Sequence, residues 1–321
     1  MTIAKIITRK FGYALAVAAV AALPFGAQAA KDSINIAMRL EPPGLDPRSN
    51  PAAAIGQIAL YNIYECLTRV NEDSTVSPML AKSWTISDDG LIYTFNLVRD
   101  VRFHDGADFT SADVKYTFEA NAAKDSKIKR KKRFVNMAKI ETPDAHTVRI
   151  TLKKARPTFL NYMGESTAVI VDQASSATNA TNPVGTGPFK FTKWVKGDSV
   201  LMEKDLSYRG AAGVKLSKVK FRFINDTSAQ IAAMLSGDLD LIPFAPAGDG
   251  LGPLKGNSDI VITTGSTEGE TILSTNNKHP ALSKLKVRQA IAHAIDRQEI
   301  IDGAMFGAGT PIGSHFAPHN P

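Results

Sequence analysis

Hydrophobic and polar positions recur along this chain in short runs, and each run has its own period. Ile34, Ile36 and Met38 fall on every second position, as do Leu91, Tyr93, Phe95 and Leu97. Val148, Ile150 and Leu152 repeat the pattern, and so do Val219, Phe221 and Phe223. A period of two predicts strands with one inward face. A longer spacing links Ile55, Ile58, Ala59, Ile63, Cys66 and Leu67, and predicts a helix from about Ala53 to Leu67. Val287, Ala290, Ile291, Ala294 and Ile295 follow the i, i+3, i+4, i+7, i+8 pattern of an amphipathic helix.

Turn and cap residues bound these runs. Ser87-Asp88-Asp89-Gly90 reads as a turn before the strand at 91–97. Thr110 with Asp113 makes a capping box for a helix through Asn121, with Val114 and Phe118 inward. Ile231, Met234 and Leu235 line a short helix stopped by Gly237. Ile272–Thr275 reads as a strand, and Asp296 with Glu299 caps a last helix. In the stretch 183–209, Pro183, Gly185, Gly187 and Pro188 demand special backbone. A hairpin then follows: Phe189 to Val195, a Lys196-Gly197-Asp198 turn, and Ser199–Glu203. The sum is an α/β (mixed α+β) chain without internal repeats.

The N-terminus departs from this pattern. Lys5, Arg9 and Lys10 precede a 13-residue apolar run from Tyr13 to Phe25, and Ala27-Gln28-Ala29 is a small-x-small cleavage site. Residues 1–29 therefore read as a secretory signal peptide, too short for a comfortable membrane span. The mature N-terminus is expected at Ala30, and the location is expected to be periplasmic. Removing this segment takes three positive charges and no acidic residue from the net charge of +7, which leaves +4 on 292 residues. That mild basicity does not call for nucleic acid, and the length suits two domains.

Candidate chemistry is sparse. Cys66 is the single cysteine, so no internal disulfide can form, and its apolar stripe marks it as a core thiol. Lys127–Arg133 holds six basic residues in seven. A solvated loop or helix end outweighs a nucleic-acid patch here, and contact with an anionic membrane surface is a third option. His315 and His319 have i, i+4 spacing, but Pro318 interrupts the helix a metal pair would need. His104, in Phe103-His104-Asp105-Gly106, reads as a turn residue. No Gly-x-Ser-x-Gly occurs, and Gly307–Gly313 lacks dinucleotide-loop spacing. Nothing argues for catalysis, a cofactor or a metal.

Several motifs stand in a definite order. They are Glu41-Pro42-Pro43-Gly44-Leu45-Asp46-Pro47, Tyr61–Leu67, Pro78-Met79-Leu80-Ala81-Lys82-Ser83-Trp84, and Val101–Gly106 with Thr110–Val114. Asn182–Gly210, Gly237-Asp238-Leu239-Asp240 and Val287–Ile291 with Ala294–Arg297 complete the series. Together they resemble the bacterial extracellular solute-binding proteins of family 5, the peptide/nickel-binding group of ABC importers. The resemblance implies a two-lobe periplasmic-binding-protein-like fold. Residues 30–74 and 184–268 would form the first lobe, 75–183 an inserted subdomain, and 269–321 a hinge strand and the start of an incomplete second lobe. The chain is expected to be truncated at its C-terminus relative to that pattern.

Function follows from the same resemblance. It implies a non-enzymatic monomer that captures di- or oligopeptides and delivers them to an inner-membrane ABC permease. A nickel chelate, haem, opine or oligosaccharide is the alternative solute. A secreted enzyme, or a structural or chaperone-like fragment without ligand, is the alternative class. Candidate ligand contacts are Glu41, Pro43 and Leu45, on a loop with three prolines, and Asn276 and Asn277, whose amides both donate and accept. Tyr61 and Tyr64 are expected to pack.

Overall fold

The computed structural model describes residues 3–9, 31–50, 52–245, 249–266 and 269–314. The apolar run and cleavage site of the expected signal peptide, and His315 and His319, lie outside the described residues. Strand β1 (Ile3–Arg9) and strand β2 (Ser33–Met38) open the order of elements. The chain forms two compact units. Of the described residues, one gathers 3–9, 35–39 and those from 224 to 314; the other gathers 31–34 and those from 40 to 223.

The larger unit begins with helix α1 (Ala53–Ala59) and the short antiparallel pair β3 (Thr68–Val70) and β4 (Val76–Pro78). Its main core is built on β5 (Ala81–Ile86), β6 (Ile92–Leu97), α2 (Ser111–Ala122), α3 (Lys132–Val135), β7 (Met137–Asp144) and β8 (Thr147–Leu152). The four strands form an antiparallel sheet in the order β5-β6-β8-β7. The period-two residues Tyr93, Phe95, Leu97, Val148, Ile150 and Leu152 are all buried, as alternation requires.

Helix α2 contributes to that core and starts as its capping box predicts. Asp113 accepts from the Thr110 N–H at 2.8 Å, and the Thr110 hydroxyl accepts from the Ala112 N–H at 3.3 Å. Val114 and Phe118 are fully buried, and the Phe118 and Phe134 rings lie 5.6 Å apart. Helix α4 (Phe159–Tyr162) sends Phe159 against Tyr93 at 4.5 Å. The hairpin of β9 (Phe189–Val195) and β10 (Ser199–Lys204) turns at Gly197, whose φ is +76°, and β10 also pairs with β11 (Lys218–Phe223).

The first helix is shorter than its stripe predicts. It stops at Ala59, Leu60 is extended, and Tyr61 has a φ of +62°. Ile63, Cys66 and Leu67 are fully buried as expected, but on non-helical backbone. The reason lies in their carbonyls. Those of Asn62 and Ile63 accept from Phe189 and Gly187, and those of Glu65, Cys66 and Leu67 accept from Ile170, Leu80 and Ala81. A continued helix would keep such carbonyls for its own ladder. Cys66 is a core thiol whose Sγ donates to the Glu165 carbonyl at 3.4 Å, and burial pushes its pKa up.

In the smaller unit, β2 runs parallel to β12 (Leu241–Ala245), and β1 lies antiparallel between β12 and β13 (Ile260–Ser266). Asn35 and Asp240 tie β2 to β12. The Asp240 carboxylate accepts from Asn35 N–H at 2.9 Å, and Asn35 carbonyl accepts from Asp240 N–H at 2.9 Å. Helix α5 (Thr227–Ser236) ends at Gly237 with φ +85°, as predicted. Ile231 and Met234 are buried, but Leu235 points outward, because the inward stripe on so short a helix is narrow.

Two helices follow, α6 (Leu285–Ala294) and α7 (Arg297–Met305), and Asp296 caps the second through the N–H groups of Gln298 and Glu299. The expected strand at Ile272–Thr275 does not form. Ile272 and Leu273 are exposed and the segment joins no ladder among the described residues. A strand needs a neighbouring edge to take its N–H and C=O groups, and alternation alone does not supply one.

Candidate ligand-binding site

The most motif-rich segment, residues 182–210, is built as a joint. Gly185 and Gly187 lie against the backbone of the segment after α1. A Cβ on Gly185 would sit 2.1 Å from the Ile63 carbonyl oxygen, and one on Gly187 would sit 2.3 Å from that of Asn62. Only glycine permits that approach. His104 closes the other side. Its N–H donates to the Gly185 carbonyl at 2.9 Å, its Nε2 lies 2.9 Å from the Gly187 carbonyl, and its Nδ1 accepts from Gly185 N–H at 3.4 Å. These partners fit a neutral ring with its proton on Nε2. Burial holds the His104 pKa below its ordinary value.

The charge at this joint is Glu65, whose side chain is fully buried. Arg209 grips it with two parallel bonds, Nη1 to Oε2 and Nη2 to Oε1, both 2.7 Å. The Thr186 hydroxyl adds a bond at 3.0 Å and the Tyr208 hydroxyl one at 3.3 Å. Burial opposes the Arg209 cation, but the hydrogen bonds and charge of Glu65 outweigh it and raise its pKa. Thr186, Tyr208 and Arg209, all more than 120 residues from Glu65, thus satisfy it and leave this carboxylate no solvent-facing surface. Sequence reading missed the pair; the only signal was that Glu65 and Arg209 each lay inside a motif.

The Glu41–Pro47 loop is held along its length. Glu41 accepts from the Trp194 indole N–H at 2.8 Å and from Gly197 N–H at 3.1 Å, so it clasps the tip of the β9–β10 hairpin. Leu45 donates its N–H to the Ala180 carbonyl at 2.9 Å, and its side chain is fully buried. Asp46 takes Arg48 in two side-chain bonds of 2.7 and 3.1 Å, and Arg48 also reaches the Ser176 hydroxyl at 3.0 Å. Pro43 is exposed. Beside the loop is an open groove of about 340 Å³, lined by Asp46, Arg48, Ser49, Asn121, Asp125 and Ser126.

Asn276 and Asn277 belong to the other unit and are exposed. Asn276 Oδ1 accepts from Lys278 N–H at 3.0 Å, and Asn277 Oδ1 accepts from the Thr275 hydroxyl at 3.2 Å. Their oxygens make local turns, and their amide N–H groups have no hydrogen-bond partner among the described residues. The structure thus brings Glu41, Pro43 and Leu45 together on one loop and sets Asn276 and Asn277 side by side on another. Tyr64 is a packing residue, fully buried, and Tyr61 donates its hydroxyl to the Gly164 carbonyl at 2.6 Å.

Comparison with known proteins gives a consistent picture. The family model for bacterial extracellular solute-binding proteins, family 5 (middle part), matches residues 75–321. The glutathione-binding protein GsiB of Salmonella choleraesuis (strain SC-B67) is 33% identical over 313 residues, which are 95% of this chain and 60% of that protein. Among solved structures, NikZ from Campylobacter jejuni in complex with Ni(L-His) aligns with a TM-score of 0.76 and 30% identity, covering 86% of this chain and 56% of that one. AgaA from A. tumefacien R10 in complex with agropinic acid aligns with a TM-score of 0.74 and 34% identity, over 87% and 57%. The chain spans about 60% of the length of the curated relatives it matches. The ordered motifs, the matched model and these likenesses place the chain in the bacterial extracellular solute-binding protein family 5.

Proposed function

We propose that the protein is the periplasmic solute-capturing component of an ABC importer, and that it carries di- or oligopeptides to an inner-membrane permease. The observation that carries this reading is the likeness, over 95% of the chain, to a glutathione-binding protein, glutathione being a tripeptide. The local chemistry agrees. The His104 ring is engaged by Gly185 and Gly187, and the Cys66 thiol by Glu165, so neither is poised as base or nucleophile.

In this reading residues 30–74 and 184–268 belong to one lobe, 75–183 to its insert and 269–321 to the other lobe. Ligand is enclosed between lobes, where polar contacts from both sides and loss of water supply the affinity. Glu41 and Pro43, exposed on their loop, and the exposed Asn276 and Asn277 would contact the solute. Leu45 would hold the loop rather than touch solute. A nickel chelate or opine is the second reading, supported by the likeness to the Ni(L-His) and agropinic acid complexes.

Native mass spectrometry of the protein isolated from its own periplasm tests the assignment. A co-purified peptide supports it. A nickel chelate, opine, haem or sugar transfers the reading to that class, and a solute chemically altered on incubation would make the protein an enzyme. N-terminal sequencing of the same sample is expected to read Ala-Lys-Asp-Ser; a retained Met1 would refute export with cleavage.

A further inference from the structure

The basic run at 127–133 is larger in space than in sequence. Ile128 and Phe134 are buried in the core of the larger unit, which turns Lys127, Lys129 and Lys132 outward. Asn136 then joins this run to the end of β8. Its carbonyl accepts from the Lys153 N–H at 2.7 Å, and its Nδ2 donates to the Lys154 carbonyl at 2.9 Å. Lys153 and Lys154 are exposed as well.

Acidic residues are missing from both segments, 126–140 and 145–164. Glu165 pairs with Arg130 and Arg133, and Lys131 is turned back onto the Lys124 carbonyl. Lys139 pairs with Glu141, and the five remaining lysines, Lys127, Lys129, Lys132, Lys153 and Lys154, have no ion-pair partner among the described residues. Two aromatic rings of these elements are occupied, Phe134 in the core and Tyr162 under the Arg133 guanidinium at 3.6 Å. Nothing here offers a base a stacking platform, which single-stranded nucleic acid would use. Val135, partly exposed, puts an apolar side chain beside the lysines.

We propose that the surface formed by Lys127, Lys129, Lys132, Lys153 and Lys154 binds the anionic phospholipid face of a bilayer. Lysines near such a surface each add to partition, and the effect is screened by salt. The attraction is diffuse and tolerates a loop of flexible side chains, as this surface presents. Retention of this kind would keep the protein close to a membrane-embedded partner. It depends on neither the identity of the solute nor the peptide reading.

Flotation of the full chain with vesicles tests the proposal. Binding is expected to phosphatidylglycerol–phosphatidylcholine vesicles at low salt and not to phosphatidylcholine alone. Replacing the five lysines with glutamine should weaken partition by up to about 3,000-fold, about fivefold per lysine, whereas replacing them with arginine should preserve it. The control replaces five other exposed lysines, Lys82, Lys193, Lys215, Lys278 and Lys286, with glutamine. An equal loss in that control would mean that net charge, not this surface, is responsible, and would overturn the proposal. No partition into anionic vesicles at low salt would also overturn it, as would binding to duplex DNA without binding to vesicles. Inorganic phosphate competing at concentrations too low to screen charge would reassign the surface to a free-anion site.

Discussion

Helices α2 and α6 share a clear apolar stripe, yet they end in different surroundings. In α2, Val114 and Phe118 are fully buried against a four-stranded sheet. In α6, Val287 and Ile291 are only partly covered and no residue is buried. The helix ladder is local, so a stripe and compatible residues suffice to specify a helix. Burial needs a second surface. The strands before and after α2 provide one, while the segment before α6 carries exposed Ile272 and Leu273 and no ladder.

Truncating one side chain on each helix would break or sharpen the contrast most. Phe118→Ala removes a ring from a closed core and is expected to cost about 3–5 kcal/mol. Ile291→Ala should cost about 1 kcal/mol or less, as surface changes do. Chemical denaturation of both variants decides it, and equal losses would mean that the α6 stripe is packed in solution.

The joint at Glu65 extends the comparison to charge. Glu65→Ala leaves the partly exposed Arg209 and the buried Thr186 hydroxyl without their acceptor, for an expected loss of about 2 kcal/mol. Lys115, paired with Glu119 on the exposed face of α2, gives the reference: Lys115→Ala should change stability by about 0.5 kcal/mol or less. Similar effects from the two variants would show that solvent reaches the Glu65 carboxylate.

Backbone approach ranks next. Gly187→Ala should destabilise by about 1–3 kcal/mol, because its Cβ must displace the Asn62 carbonyl. Gly213→Ala, with open space at its Cβ, should be close to neutral. Thermal melts of the pair would test whether the motif glycines are there for packing.

The smallest effect is electrostatic. The His104 pKa is depressed from 6.5 in the folded state, so below that pH the unfolded chain binds more protons. Its contribution is therefore complete above about pH 6.5 and is lost as pH falls toward the folded pKa. His104→Gln should flatten the stability profile in that window. An unchanged slope would mean that the ring titrates in the fold as it does in the unfolded chain.

Much of the secondary structure is legible from local rules. The capping box at Thr110, the Asp296 cap, the Gly237 stop and the alternating strands at 34–38, 91–97, 148–152 and 219–223 are written within a few residues, and each forms where the pattern puts it. The stretch from Leu60 to Leu67 is different. Its apolar spacing resembles a helix, but the carbonyls of Asn62, Ile63, Glu65, Cys66 and Leu67 are taken by residues from 80 to 189, partners that no local pattern names.

The candidate site divides in the same way. Sequence marked the Glu41–Pro47 loop by its prolines and ordered motifs. It could not show that Glu41 clasps Trp194 and Gly197, or that Leu45 is sealed in the interior. By itself the sequence determined the class of the fold, the family, and the elements whose hydrogen bonds close within a turn or a hairpin. The tertiary structure decided which stripes are buried, which charges are consumed in pairs such as Glu65–Arg209, and which lysines collect on one surface. The reason is range. Backbone ladders and caps are satisfied by neighbours in sequence, whereas burial and charge pairing depend on whatever the fold brings alongside.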